Sequence, residues 1–162
     1  MKRFLWYATP FLIILAVALV IRGQALQPLQ LPDPKITPGD IDPAVTQANI
    51  QQTICRDGYT KTVRDVTEQE KKSVLQLYAL GSDQIHKVEI DHLVSLEIGG
   101  SNSLKNLWPQ YYNGPKGYLG ARVKDVLETY LKRQVCAGKI PLAEAQKEIA
   151  TDWVAAYHKY IK

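Results

Sequence analysis

An 18-residue stretch, Phe4 to Ile21, directly follows Lys2-Arg3, and its only clearly polar member is Thr9. A positive start followed by a long apolar run is what the secretion machinery reads as a signal, and at an extreme N-terminus it does not suit a buried core helix. Two fates compete. Gly23-Gln24-Ala25 places small residues at the −3 and −1 positions of a cleavage after Ala25. Signal h-regions, however, are usually about 7–15 residues long, whereas about 18 are enough to span a bilayer. Arg22 closes the run, and Lys2-Arg3 favour a cytoplasmic N-terminus. The length favours an uncleaved anchor. Either way the remainder is exported, and residues 1–25 are expected to be a signal peptide or a membrane-anchor helix.

This segment also distorts the charge count. The whole chain carries +4, but residues 1–25 hold three basic groups and no acid, so residues 26–162 carry 17 basic and 16 acidic groups. A globally basic, nucleic-acid-coating protein is excluded. A local basic stretch survives, since residues 101–139 hold seven basic and two acidic groups. Residues 26–45 contain five prolines and little periodicity, which predicts an extended linker. The folded unit is then residues 46–162, long enough for a core of its own.

Cys55 and Cys136 stand alone, one near each end of that unit. In an oxidising compartment such a pair forms a disulfide. A metal pair or catalytic thiol would need neighbours that are absent, because there is no C-x-x-C and no histidine lies close to either cysteine in sequence.

Local patterning gives a fold class of α+β, mainly helical. Thr67-Glu-Gln-Glu70 is a capping box opening a helix over about 67–80. From His86 to Ile98 apolar residues recur with period two, Gly99-Gly100-Ser101-Asn102 makes a turn, and Ser103-Leu104-Lys105 leads back to Asn106-Leu107-Trp108-Pro109, where proline ends regular pairing. Ala121 to Cys136 has Val123, Leu127, Tyr130, Leu131 and Val135 on one face, with Arg122, Lys124, Lys132 and Arg133 elsewhere. Pro141 opens a last helix, with Leu142, Ala145, Ile149, Trp153, Ala156, Tyr157 and Tyr160 as its buried stripe.

The chemistry is concentrated between Glu89 and Gln110. Asp91 beside His92 sets a carboxylate next to an imidazole, before a double-glycine turn, with Asn106 fourteen residues after the histidine. An imidazole titrates near neutrality and can take a proton from water, and a carboxylate can bind a hard cation. These are the parts of a metal-assisted hydrolase. Adjacent strand residues point to opposite faces, so the two share a site only where the strand twists or breaks. Read plainly, a histidine in a period-two segment is a half-buried strand residue, Asp91 pairs with a lysine, Asn106 and Asn113 are turn residues, and Glu89 and Glu97 are solvated charges.

Taken with its spacing, the stretch resembles the HNH, or His-Me finger, nucleases, through Asp91-His92, Gly99-Gly100 and Asn106-Leu107. It is similar to an exported subgroup through Thr53-Ile-Cys55, Gly58-Tyr-Thr60, Val63-Arg64, Asn106-Leu-Trp-Pro109, Lys124-Asp125, Leu127-Glu128, Val135-Cys136, Gly138 and Asp152-Trp153. The resemblance implies a ββα-metal finger packed in a helical domain. It implies His92 as general base, Asp91 as ligand of a divalent cation, and Asn106 as the residue that pins the loop or orients the His92 ring. It departs from the family at the second metal-binding histidine, expected early in the helix. No histidine lies there, and Asn113 is the nearest oxygen donor, which suits Mg²⁺ ahead of Zn²⁺ or Ni²⁺, with Mn²⁺ also possible. The expected protein is an exported, monomeric, metal-dependent endonuclease of low sequence selectivity, acting on DNA ahead of RNA. Lys105, Lys116, Arg122, Lys124, Lys132, Arg133 and Lys139 would neutralise phosphates. The rival expectation is a non-catalytic envelope module that keeps the scaffold alone.

Overall fold

A computed structural model describes residues 30–81, 86–114 and 117–161. The expected signal or anchor segment lies outside the described residues, and among them no helix is long and apolar enough to cross a membrane. The described residues form four α-helices and one two-stranded antiparallel sheet: α1 (Tyr59–Val63), α2 (Glu68–Leu77), β1 (Val88–His92), β2 (Leu107–Tyr111), α3 (Ala121–Cys136) and α4 (Leu142–Tyr160).

The capping box forms as its residues dictate. The Glu70 N–H donates to Thr67 Oγ1 and the Thr67 N–H donates to a Glu70 carboxylate oxygen. α3 starts and stops where its periodicity predicts. α4 carries the expected stripe, with Leu142, Ala145, Ile149, Trp153 and Ala156 buried. It is interrupted at Asp152, whose backbone is extended (φ −162°, ψ 94°). Asp152 Oδ1 there accepts from the N–H groups of Val154 and Ala155, so the residue caps a second helical segment.

The sheet is shorter than period-two patterning suggests. β1 ends at His92, and Leu96–Ile98 form a 3₁₀ turn in place of strand. Pro109 does not end the pairing: it lies within β2, opposite Ile90, while Asp91 faces Trp108. A two-stranded sheet has only edge strands, where a missing N–H can point outward without loss of a ladder bond.

The proline-rich stretch is not a free spacer. Thr37 Oγ1 donates to the Leu107 carbonyl at 2.9 Å and lies 2.8 Å from the Tyr78 hydroxyl. The Gly39 N–H donates to Lys105 O, and Trp153 Nε1–H donates to Gln30 O at 2.7 Å. Its prolines prevent a helix, and residues 30–45 instead strap across β2, α2 and α4, with turns at 34–36 and 43–44. The core between α3, α4 and the 93–98 segment gathers Ile54, Leu93, Val94, Trp108, Leu127, Leu131 and Trp153.

Cys55 and Cys136 form the expected disulfide, closing a separation of 81 residues. In the chain-entropy account such a loop stabilises by about 4 kcal/mol. Reduction, or the double Cys→Ser variant, is expected to lower the unfolding free energy by up to that amount. Urea denaturation with and without reductant measures it, and an unchanged midpoint would contradict a structural role.

Candidate active site

His92 is the last residue of β1 and is buried. Its Nε2 lies 3.0 Å from Asn102 Oδ1. The orientation of the Asn102 amide follows from its other bonds: Nδ2 donates to Val63 O at 2.7 Å, and Oδ1 also accepts from the Asp65 N–H at 3.3 Å. An oxygen facing Nε2 requires a proton on Nε2. The neutral ring is therefore the Nε2–H tautomer, and the lone pair resides on Nδ1. Burial lowers the imidazole below its ordinary value, against the Asn102 bond and the Asp91 charge that raise it. Burial thus favours the neutral ring, the form able to accept a proton.

Asp91 points elsewhere. Its Oδ2 lies 2.8 Å from Lys124 Nζ, an ammonium with no solvent exposure. Lys124 also donates to the His92 carbonyl at 2.7 Å and to Glu128, which in turn accepts from Ser95 Oγ at 2.7 Å. The Asp91 contact is an ion pair without hydrogen-bond alignment. Burial pulls the ammonium down, but Asp91 and Glu128 outweigh it and hold Lys124 above its usual value. Burial pushes Glu128 upward against the opposing pull of Lys124. Lys124 lies on the buried face of α3 and not with the solvent-facing cations that its residue type suggests. Its spacing, three before Leu127 and seven before Leu131, puts it on the buried stripe, with Glu128 one turn later.

Asn106 pins the loop and leaves the ring to Asn102. It is fully buried, its Oδ1 accepts from the Val94 N–H, and its Nδ2 donates to the carbonyls of Val94 and Ser101. Gly100 permits this closure, since a Cβ there would come within 1.7 Å of Val94 O. Gly99 adopts φ +79°, as a turn needs.

Asn113 is exposed beyond β2 and makes no side-chain hydrogen bond among the described residues. No cluster of three or more His, Cys, Asp or Glu residues suited to a metal occurs among them either. Asp91 Oδ2 already faces a buried ammonium, so a divalent ion at that oxygen would meet like charge. The Asp91–Asn113 pair does not fit a resident cation as the chain folds.

His92 lines a cleft of about 490 Å³ that runs along β1, walled by Arg64, Lys71, His86, Glu89 and Tyr112 among others. None of the described members of the basic stretch lines it. Lys124 is internal, and Lys105, Arg122, Arg133 and Lys139 are exposed elsewhere.

Truncating a partner of a buried pair leaves a charge uncompensated, at about 3–5 kcal/mol. Lys124→Met is expected to destabilise by that amount in urea unfolding, whereas Lys139→Met stays within about 0.5 kcal/mol, as an exposed position should. No protein-family model, curated protein or solved structure matches the chain, and the functional reading therefore rests on this geometry and on the sequence motif.

Proposed function

We propose that the chain is an exported endonuclease of the HNH type that hydrolyses nucleic-acid phosphodiester bonds with low sequence selectivity, DNA ahead of RNA. The observation that carries this reading is the contact of His92 Nε2 with Asn102 Oδ1, which leaves Nδ1 as the basic nitrogen of a residue that lines an open cleft. The strand, strand, helix order of β1, β2 and α3 supports the resemblance, with His92 closing the first strand and Asn106 opening the return. The disulfide and the apolar N-terminal run support export.

In the proposed step a cleft water gives a proton to His92 Nδ1 as its oxygen bonds to phosphorus. The bond from phosphorus to the leaving oxygen breaks with its electron pair on that oxygen, which takes a proton from solvent. Nδ1 then releases its proton to solvent, restoring the starting tautomer.

One observation favours the rival reading of a non-catalytic module: the acid beside His92 is neutralised internally by Lys124. Plasmid nicking decides between them. The purified full-length chain is expected to nick supercoiled DNA, and His92→Ala to lower the rate by about 10²- to 10⁴-fold, the usual worth of a general base. Equal cleavage by that variant, or none by either protein, overturns the proposal. A parallel assay in EDTA separates catalysis by protein groups alone from a cation that arrives with the substrate.

The pH profile is a further expectation. Because the imidazole is depressed, kcat/KM should stay level around pH 7 and fall with acid only below the ordinary histidine value of about 6.5. A fall beginning above that value contradicts His92 as the base.

A further inference from the structure

With Asp91 neutralised from inside and Lys124 sealed from solvent, the charge that meets a phosphate beside His92 must come from the cleft wall. Among the described residues two cations line it, Arg64 and Lys71. Lys71 is committed, its Nζ lying 2.7 Å from Glu68. Arg64 is exposed and makes no ion pair among the described residues.

Its backbone, by contrast, is held firmly. The Arg64 N–H donates to Thr60 O and ends α1. On one side of Arg64, the Val63 carbonyl accepts from Asn102 Nδ2; on the other, the Asp65 N–H donates to Asn102 Oδ1. That oxygen is the same one that faces His92 Nε2. A single amide thus brackets Arg64 and fixes the ring of the base. Arg64, Glu89 and His92 line the same cleft.

We propose that Arg64 is the phosphate-binding residue of this cleft, that Arg64 and His92 form one phosphodiester subsite, and that Asn102 is the positioning residue that sets both. A guanidinium presents a planar fork of donors matched to two phosphate oxygens, and an unpaired one loses no protein partner when the anion arrives. It also supplies the cation that the developing negative charge on phosphorus requires. Glu89 on the cleft wall repels anions, so binding without Arg64 is disfavoured. The role in cleavage rests on the nuclease reading; the anion site is testable apart from it.

The full-length chain, labelled with ¹⁵N at histidine, is titrated with inorganic phosphate while the imidazole signals are followed. The His92 signals are expected to shift saturably. In Arg64→Met phosphate binding weakens about ten- to a hundredfold, the loss of a charge-assisted hydrogen bond, with an unchanged melting temperature. Arg64→Lys recovers part of it. DNA nicking by Arg64→Met falls by a similar factor. Phosphate affinity and nicking that are both indifferent to Arg64 overturn the inference, while nicking by the wild type leaves the nuclease reading standing. Arg64-dependent phosphate binding without any nicking does the reverse.

Asn102 has its own readout. Asn102→Asp places a carboxylate against an imidazole already subject to the charges of Asp91, Arg64 and Lys124, so the acid limb of the rate profile, or of the His92 titration, moves to higher pH. Asn102→Ala, which adds no charge, is expected to weaken phosphate binding and slow nicking together. An acid limb that stays in place in the first variant, with unchanged phosphate binding in the second, overturns its positioning role.

Discussion

A single buried ammonium organises the end of β1. Removing a charge from water costs several kcal/mol unless the interior answers it, and Lys124 is answered by Asp91, Glu128 and the His92 carbonyl. The three partners come from two parts of the chain: Asp91 and His92 close the strand, and Glu128 is the next turn of α3. Ser95 joins through Glu128, so the segment after the strand is tied to the same helix. The cluster thereby decides which residue faces the cleft. Asp91 Oδ2 meets the ammonium, and His92, the next residue of the strand, contributes to the cleft wall.

The loop from Leu93 to Asn106 turns that placement into a chemical state. Its two asparagines divide the work by depth. Asn106 is enclosed and all its bonds go to backbone at Val94 and Ser101, closing the loop on itself. Asn102, only partly buried, reaches outward to the ring in one direction and to the Val63–Asp65 backbone in the other. A carboxamide carries a donor and an acceptor of fixed sense, so satisfying Val63 with the nitrogen obliges the oxygen to face His92. The tautomer of the ring is thus set by a backbone carbonyl on a distant helix.

The N-terminal strap and the disulfide hold the walls of the cleft at fixed spacing. Thr37 contacts both Leu107 at the start of β2 and Tyr78 just past α2, linking the sheet that carries His92 to the helix that carries Lys71 and Glu68. Cys55 lies just before α1 and is bonded to the end of α3, so the segment leading to Arg64 is anchored to the helix that carries Lys124. Each wall is therefore tied to the floor by a bond distant in sequence.

Much was legible in the residues themselves. The capping box at Thr67, the bounds of α3, the stripe of α4, the cysteine pair and the glycine turn each depend on neighbours within a few residues, or on a pairing with no competitor. Asp91, His92 and Asn106 could be singled out by their spacing together with the family resemblance it carries. What spacing could not supply was direction. Whether Asp91 turned to a metal ion or to a lysine, which asparagine met the imidazole, and which cation stood beside it depended on groups 10 to 40 residues apart, brought together only when α1 and α3 packed on the 96–98 turn that follows β1. The break at Asp152 and the docking of residues 30–45 were equally invisible, because the contacts that compensate them lie on distant elements. Local sequence determined which helices and turns form and which chemistry is on hand. Tertiary packing decided where each polar group found its partner, since a buried charge or amide takes the nearest complementary group in space, whatever its distance along the chain.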